Sequence, residues 1–203
     1  MTGLARGADG RRRCSWAVSA PEYVAYHDEE WGRPITDDDA VFERIMLEAF
    51  QSGLSWLAIL RKRENFRAAF AGFRIEAVAR FGIRDVTRLM ADAGIVRNRA
   101  KIEAALANAR AAADLDGGLG QLVWSFAPSG RRRAPQKLSE VPALTTESKA
   151  LARELRRRGF RFVGPTTAYA TMQACGLVND HLAGCAVRRS VETERRAILR
   201  PHG

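Results

Sequence analysis

Cysteine and histidine are both scarce in this sequence, with three of each among 203 residues. Three cysteines cannot all pair, so metal ligation in a reduced, cytosolic protein fits better than a disulfide framework. No apolar run is long enough to cross a bilayer, and the first residues have no apolar segment of the kind that a secretory signal carries. These absences argue against a membrane protein and against a secreted one.

Acidic residues are outnumbered, because 33 lysines and arginines stand against 23 aspartates and glutamates, a net charge of +10. Such an excess favours polyanionic partners, namely DNA, RNA or an anionic membrane surface. A single basic cluster is usually a solvated face, but repeated clusters shift the balance toward nucleic acid. The clusters are Arg131–Arg133 with Lys137, Arg153 with Arg156–Arg158 and Arg161, and Arg188–Arg189.

Alternating apolar and polar residues, the pattern of a half-buried strand, are also missing, so the sequence predicts an all-α fold. Apolar and aromatic residues make up 46% of the chain, enough for the core of one domain or of two small ones. We expect a disordered basic N-terminus at 1–13, a helical domain at 14–187 that can form two lobes around a site, and a charged, peripheral tail at 188–203. Helices are predicted from about residue 36, with Thr36 as the N-cap, and at 54–73, 85–91, 99–115, 147–158 and 164–177.

Four of the six cysteines and histidines form two pairs at opposite ends of the chain, Cys14 with His27 and His181 with Cys185. A nitrogen and sulfur set of this kind suits tetrahedral zinc, which would join the two ends. His181 and Cys185 can share one face of a helical turn, but the spacing of Cys14 and His27 is not that of a standard zinc finger. Spacing alone leaves one zinc site and two unrelated pairs equally open.

Glu48 lies on the apolar face of the helix predicted from residue 36, together with Val41 and Ile45. A charge on a buried face is costly unless it has a partner. One interpretation is structural: an arginine pairs with Glu48, or the end of the helix is exposed. The other is a carboxylate in a binding site, ready for a hydrogen-bond donor or a cation.

Aromatic residues make up only 8% of the chain, yet three of the four tryptophans fall between residues 16 and 56. A core of large side chains explains any one of these aromatic residues. As a group, electron-rich rings beside a carboxylate also predict a pocket for a flat or cationic ligand. The group consists of Trp16, Tyr23, Tyr26, Trp31, Phe50 and Trp56.

A glycine turn at 92–102 lies between two predicted helices and carries three basic residues. Free backbone N–H groups at the start of the second helix can hold a phosphate, and the basic side chains add positive charge. A helix–hairpin–helix DNA-binding element has this form, although Val96 or Arg97 stands at its usual second glycine. An ordinary helix connection with solvated basic residues is the alternative. The predicted DNA contacts are Gly94, Ile95, Val96, Arg97, Asn98, Arg99 and Lys101.

Four longer segments resemble the DNA-3-methyladenine glycosylase I family, a zinc-containing branch of the helix–hairpin–helix glycosylases. They are CSWAVSAPEYVAYHDEEWGRP, LEAFQSGLSWLAILRKRENF, DAGIVRNRAKI and RGFRFVGPTTAYATMQACGLVNDHLAGC, within about residues 14–186. The resemblance implies an all-α helix–hairpin–helix DNA glycosylase fold in which a zinc site joins the N- and C-terminal segments. It also implies one structural Zn2+ per chain, with Cys14, His27, His181 and Cys185 as its ligands.

The base pocket that this resemblance implies contains Trp16, Tyr26, Glu48 and Trp56, with Tyr23 and Trp31 nearby. We expect Glu48 to accept a hydrogen bond from the exocyclic amine of a flipped, methylated adenine, with Tyr26 as the second catalytic residue. Methylation already weakens the glycosidic bond, so a strong general acid is unnecessary, and no lysine is placed for strand cleavage. Phe50 stands where a polar or small residue is expected, which predicts an altered pocket edge. Leu54 is a candidate for the wedge that fills the vacated stack.

These implications describe a monofunctional repair enzyme that hydrolyses the N-glycosidic bond of 3-methyladenine in alkylated DNA and leaves an abasic site. Its partners are double-stranded DNA and the free base 3-methyladenine, without a membrane. We expect a monomer in the bacterial cytoplasm, associated with the nucleoid. A zinc-stabilised DNA-binding module without catalysis is the alternative, since it needs only the basic surface and the hairpin, and RNA binding is a third, weaker option.

Overall fold

The computed structural model describes residues 3–130 and 132–199. Ten α-helices and two short strands occur in these ranges, so the predicted helical class is confirmed in the main. Arg131 of the predicted basic loop cluster, and the ends of both predicted tails at 1–2 and 200–203, lie outside the described residues. The helices are α1 (Pro21–Glu29), α2 (Asp38–Gln51), α3 (Trp56–Ala69), α4 (Ile75–Ala79), α5 (Ile83–Ala91), α6 (Arg99–Ala113), α7 (Gly118–Trp124), α8 (Thr146–Arg157), α9 (Pro165–Ala174) and α10 (Arg188–Leu199).

Helix α2 is the central helix, because α3, α6, α7 and α9 all pack against it. Asp37 rather than Thr36 caps its start, since the Asp37 side chain accepts a hydrogen bond from the backbone N–H of Ala40 at 2.9 Å. Every residue from Val41 to Phe50 is buried. Because this part of α2 is buried on all sides, the side chain of Glu48 lies in the interior.

The N-terminus folds into a β-hairpin, so the expectation of disorder at 1–13 is wrong for residues 3–13. Strand β1 (Leu4–Arg6) pairs antiparallel with β2 (Arg12–Cys14). The backbone N–H of Ala186 donates to Arg12 O at 2.8 Å and so ties the hairpin to the C-terminal region. Arg13 is 2% exposed because its guanidinium is paired with Asp9 and Asp28. The composition of residues 1–13 predicted solvated basic side chains, whereas the charge of Arg13 is paired with these two aspartates within the fold.

Helix α10 is part of the core rather than a peripheral tail, which corrects the prediction for 188–199. Val191 is fully buried on its inner face, and the guanidinium of Arg195 donates to the carbonyl oxygens of Gly176 and Leu177. These carbonyls follow the end of α9, where the helix supplies no donors of its own. Gly176 has a positive φ of 77°, and a Cβ there would lie 2.7 Å from Arg33 O, so the chain needs glycine at this point.

The described part of the chain contains no helix that is both long and apolar enough to cross a membrane.

Candidate functional site

A cavity of about 450 Å³ opens between α1, α2, α3 and α9. The six residues of the implied base pocket line it, so the structure brings together side chains from two separate parts of the sequence, namely Trp16, Tyr23, Tyr26, Trp31, Glu48 and Trp56. Helix α2 contributes the carboxylate, α1 two tyrosines, and α9 and the segment that follows it the opposite wall. The lining residues are Trp16, Tyr23, Tyr26, Trp31, Glu48, Gln51, Trp56, Leu138, Val141, Ala170, Gln173 and Asp180.

The aromatic walls of this cavity are held by edge contacts. The Trp16 ring meets Tyr23 and Trp31 edge-on, with centroids 5.6 and 5.1 Å apart, and Tyr26 lies 5.4 Å from Trp56. The Tyr23 hydroxyl is fixed because it accepts a hydrogen bond from the backbone N–H of Leu57 at 2.9 Å. Such interlocked rings leave faces and edges available to a flat ligand without large rearrangement.

Glu48 is 8% exposed, and its carboxyl group takes part in none of the side-chain hydrogen bonds or ion pairs formed within residues 3–130 and 132–199. Burial raises its pKa from 4.5 to about 8, and the nearby charge of Arg44 only partly opposes this shift. Arg44 itself donates to Glu30 at 2.7 Å instead. The interpretation that an arginine pairs with Glu48 is therefore wrong, and the carboxyl group is free to bind a partner in the cavity.

Two other groups in the cavity wall can donate hydrogen bonds. The Tyr26 side chain is buried, and burial, followed by the charge of Glu48, holds the pKa of its hydroxyl well above the usual value, so that it stays protonated. Nε1 of Trp56 is buried and has no hydrogen-bond partner in the described part of the chain. A ligand with ring acceptors can satisfy this donor, since buried donors are normally paired.

Phe50 does not line the cavity, so the prediction that it alters the pocket edge is wrong. Its ring is buried against Phe66 and Phe70, with centroids 4.8 and 5.8 Å away. Two residues along a helix amount to about 200° of rotation, so Phe50 and Glu48 lie on opposite faces of α2. Gln51 lines the cavity instead.

The far wall of the cavity, which α9 and the loops supply, was not predicted from the sequence. Gln173 carries the one amide side chain in α9, and this was a usable signal. Asp180 is buried beside it, and Oδ2 of Asp180 accepts hydrogen bonds from the Tyr169 hydroxyl at 2.5 Å and from Gln173 Nε2 at 2.9 Å. Leu138 and Val141 carried no such signal, because they lie in a basic loop whose position is set by tertiary packing.

A candidate metal centre lies next to the aromatic cavity. The ligand atoms of Cys14, His27 and Cys185 are within 4.8 Å of one another, and all three residues are buried. Because the two thiols lie close together, ionisation of one disfavours ionisation of the other, so the pKa of Cys185 is lowered and that of Cys14 is raised. Two sulfurs and an imidazole are a donor set that suits zinc, and metal binding would release the protons of the thiols.

Hydrogen bonds to neighbouring side chains fix the orientation of the His27 and His181 rings, as is common for histidines that bind zinc. Nδ1 of His27 lies 2.8 Å from the Asp28 carboxylate, which leaves Nε2 toward Cys185 Sγ at 3.5 Å. His181 lies outside the group of three ligands, although its ring centroid is 4.7 Å from that of His27. Burial lowers the pKa of His181 to about 4, so its imidazole is neutral. The structure thus assembles three of the four predicted ligands and places the fourth beside them.

The turn between α5 and α6 is partly occupied by its own hydrogen bonds. The N–H of Gly94 donates to Asp92 Oδ1 at 2.7 Å, and that of Asn98 donates to Val96 O at 3.1 Å. Ile95 is buried and its N–H donates to Asp92 O at 3.5 Å. The backbone N–H groups of Val96, Arg97, Arg99 and Ala100 have no acceptor within the described ranges and remain available to an anion.

Lys101 is the one charged side chain among the predicted DNA contacts that is buried, and its amine is already used. Nζ donates to Phe50 O at 3.0 Å and to Ser52 O at 2.6 Å, at the C-terminal end of α2. The prediction that this side chain faces DNA is therefore wrong. Lys101 instead ties α6 to the turn that carries Leu54, and Leu54 is 44% exposed.

The fold and the cavity define a mostly helical protein with a buried carboxylate inside an aromatic pocket suited to a flat, cationic ligand. Residues 16–189 match the methyladenine glycosylase family. The chain belongs to this family.

Named relatives agree with this assignment. The chain is 49% identical over 181 residues to DNA-3-methyladenine glycosylase 1 of Escherichia coli K12, which covers 85% of this chain and 95% of that protein. A crystal structure of 3-methyladenine DNA glycosylase I is similar with a TM-score of 0.82 and 46% identity, over 86% of this chain and 98% of that one. A variant of 3-methyladenine DNA glycosylase I in complex with 3-methyladenine has a TM-score of 0.82 and 32% identity, over 87% and 97% of the two chains.

Proposed function

We propose that this protein is a monofunctional DNA glycosylase that hydrolyses the N-glycosidic bond of 3-methyladenine in alkylated DNA, releasing the base and leaving an abasic site. The observation that carries the proposal is Glu48, a buried carboxyl group in an aromatic cavity that has no hydrogen-bond or ion-pair partner among the described residues. Its setting favours a ligand that brings its own positive charge and its own hydrogen-bond donor. Adenine methylated at N3 in DNA has both.

The chemistry follows from what the substrate already supplies. Methylation at N3 places positive charge on the base and makes it a good leaving group, so the protein needs to bind and orient it rather than protonate it strongly. Binding the cation beside Glu48 favours the ionised carboxylate, because an opposite charge lowers a pKa that burial has raised. Ionised Glu48 then accepts from the exocyclic amine, and neutral adenine gains less from the same site. The protonated hydroxyl of Tyr26 stands beside it as the second predicted catalytic group.

Access to the cavity requires the nucleotide to leave the duplex. We assign the turn at 94–99 to a helix–hairpin–helix contact with phosphate, through the free N–H groups of Val96, Arg97 and Arg99 and the exposed side chains of the two arginines. Leu54, exposed at the tip of the turn after α2, is the candidate wedge. Lys101 supports this turn from within rather than by contacting DNA.

One structural zinc ion per chain is part of the same proposal. Cys14, His27 and Cys185 would hold it, with His181 as the fourth ligand after a small movement of its ring. The ion would link the β-hairpin to the segment before α10 and would brace the tryptophans that line the cavity, since Trp16 packs on His27 at 5.2 Å and Trp31 on His181 at 4.6 Å. It has no step in the hydrolysis.

The test is the release of free 3-methyladenine, with matching abasic sites, from methylated duplex DNA by the purified chain. A non-catalytic DNA-binding module would bind the duplex and release nothing. Glu48→Gln is the matched control, because it retains the shape of the side chain and the DNA-binding surface. Strand breaks without added base or abasic-site nuclease would contradict the monofunctional assignment.

A further inference from the structure

The far wall of the cavity contains an amide whose orientation is set by a carboxylate. Oδ2 of Asp180, which is 4% exposed, accepts hydrogen bonds from the Tyr169 hydroxyl at 2.5 Å and from Gln173 Nε2 at 2.9 Å. A carboxylate can only accept, so the nitrogen of the Gln173 amide must face Asp180. The carbonyl oxygen Oε1 is the half of the amide that remains for the cavity.

Gln173 is held more firmly than the other amide in the cavity. Its backbone carbonyl also accepts from the N–H of Gly32 at 3.1 Å, which anchors this point of α9 to the loop after α1. The side chain of Gln51 has no hydrogen-bond partner within residues 3–130 and 132–199 and can turn either its oxygen or its nitrogen to a ligand. Only the fixed amide can therefore distinguish a donor from an acceptor on the ligand.

Glu48 and Gln173 come from packed neighbours, since α2 and α9 lie against each other and both residues line the same cavity. The cavity thus offers two acceptors to one ligand. An exocyclic amine carries two N–H donors and can satisfy both, whereas an exocyclic carbonyl would place a third acceptor against them. Buried acceptors left facing one another are costly.

We infer that Gln173, positioned by Asp180, is a specificity-determining residue that selects methylated bases with an amine at ring position 6 over those with a carbonyl at that position. This inference rests on the proposed function and assigns to one side chain its preference for adenine-type bases over guanine-type bases. Gln173 contacts the base, and Asp180 acts through Gln173 as a positioning residue.

The experiment uses duplex DNA treated with a methylating agent, so that 3-methyladenine and 3-methylguanine are both present, and measures the ratio of the two bases released. Gln173→Met has nearly the same size and flexibility but no amide. We expect its release of 3-methyladenine to fall roughly three- to tenfold, as for one lost hydrogen bond. Release of 3-methylguanine should fall less or rise, so that the ratio decreases. An unchanged ratio in Gln173→Met would overturn the inference.

Two further variants test the role of Asp180. Asp180→Ala leaves Gln173 in place but free to turn, so the ratio should decrease in the same direction. Gln121→Met is the matched control, because it makes the same kind of substitution at an exposed residue outside the cavity and leaves the Asp180–Gln173 bond intact, and we expect it to retain the wild-type ratio. If Asp180→Ala does not fold, Gln173→Met alone decides. Failure of the wild-type chain to release any 3-methyladenine would refute the proposed function itself, which is a different outcome from an unaltered ratio.

Discussion

Arg44 and Glu48 lie one turn apart in α2, but the guanidinium of Arg44 donates to Glu30, and Glu48 forms no ion pair with any residue that the structure describes. A structural acid in this position would take the nearest cation. Because Arg44 pairs with Glu30, the carboxyl group of Glu48 stays available to a ligand in the cavity. Its burial raises its pKa to about 8. Ligand binding and folding therefore place opposite demands on Glu48.

Glu48→Gln should lower the excision of 3-methyladenine and the affinity for the free base by about ten- to a hundredfold. The variant loses a charge-assisted hydrogen bond worth about 1.5–3 kcal/mol and turns an amide donor toward the amine of the base. Excision assays and calorimetry with the free base measure the two effects. Affinity for undamaged duplex should remain near the wild-type value, and an equal loss there would show that Glu48 acts on DNA binding in general.

The same substitution should stabilise the fold above neutral pH. The pKa of the Glu48 carboxyl group is 4.5 in the unfolded chain and about 8 in the folded protein. Between these two pH values the folded protein keeps the proton, whereas the unfolded chain has lost it. This contribution to stability is complete below about pH 4.5 and is lost as the pH rises through about 8. Glu48→Gln removes the dependence and should raise the melting temperature by at least about 2 °C near pH 8, with little difference near pH 4.5. A lower melting temperature near pH 8 would mean that Glu48 has a stabilising partner.

Purified protein should contain about one zinc ion per chain. Cys14→Ala and Cys185→Ala should lose the metal, and His181→Ala should weaken metal binding and lower thermal stability. Chelation should also change tryptophan fluorescence, because Trp16 and Trp31 pack on the two histidines. Elemental analysis measures the first effect and fluorescence the second. A His181→Ala protein with full zinc content and full stability would remove His181 from the ligand set.

Arg97 and Lys101 lie near the same turn, but the Arg97 side chain is exposed and the Lys101 side chain is buried. Neutralising Arg97 and Arg99 together should weaken binding to any duplex about equally and should flatten the salt dependence by roughly one to two phosphate equivalents. Lys101→Met should leave the salt slope unchanged but destabilise the fold, since the carbonyls of Phe50 and Ser52 lose their donor. Binding at several salt concentrations and thermal melts separate the two effects. If the slope falls only in Lys101→Met, the DNA path has been placed wrongly.

Arg195→Met should destabilise the protein by about 1–3 kcal/mol, because the buried carbonyl oxygens of Gly176 and Leu177 lose their donor. Arg189→Met, on the exposed face of the same helix, is the matched control and should stay within about 0.5 kcal/mol of wild type. Urea unfolding measures both. Equal stability of the two variants would restore the view of this segment as a peripheral tail.

Much of the architecture was predictable because it depends on local periodicity. The spacing of Val41, Ile45 and Glu48 predicted a helix with a carboxylate on its inner face, and the structure confirms that helix as α2. Five of the six aromatic residues grouped around Glu48 line the cavity, with Phe50 as the exception, and the family resemblance carried by the four long segments is confirmed. The roles assigned to the individual site residues stay predictions.

Tertiary structure alone decided where charges and amides would lie, because their environment depends on partners far away in the sequence. Lys101 reads as a surface cation, but it binds a carbonyl 51 positions earlier, that of Phe50. Arg13 and Arg195 read as tail charges, but ion pairs or bare carbonyls satisfy them inside the fold. Periodicity specifies which face of an element is apolar, whereas only the packing of elements determines which polar group meets which. The fixed amide of Gln173 is of this second kind, because its orientation comes from Asp180 beyond the end of its own helix.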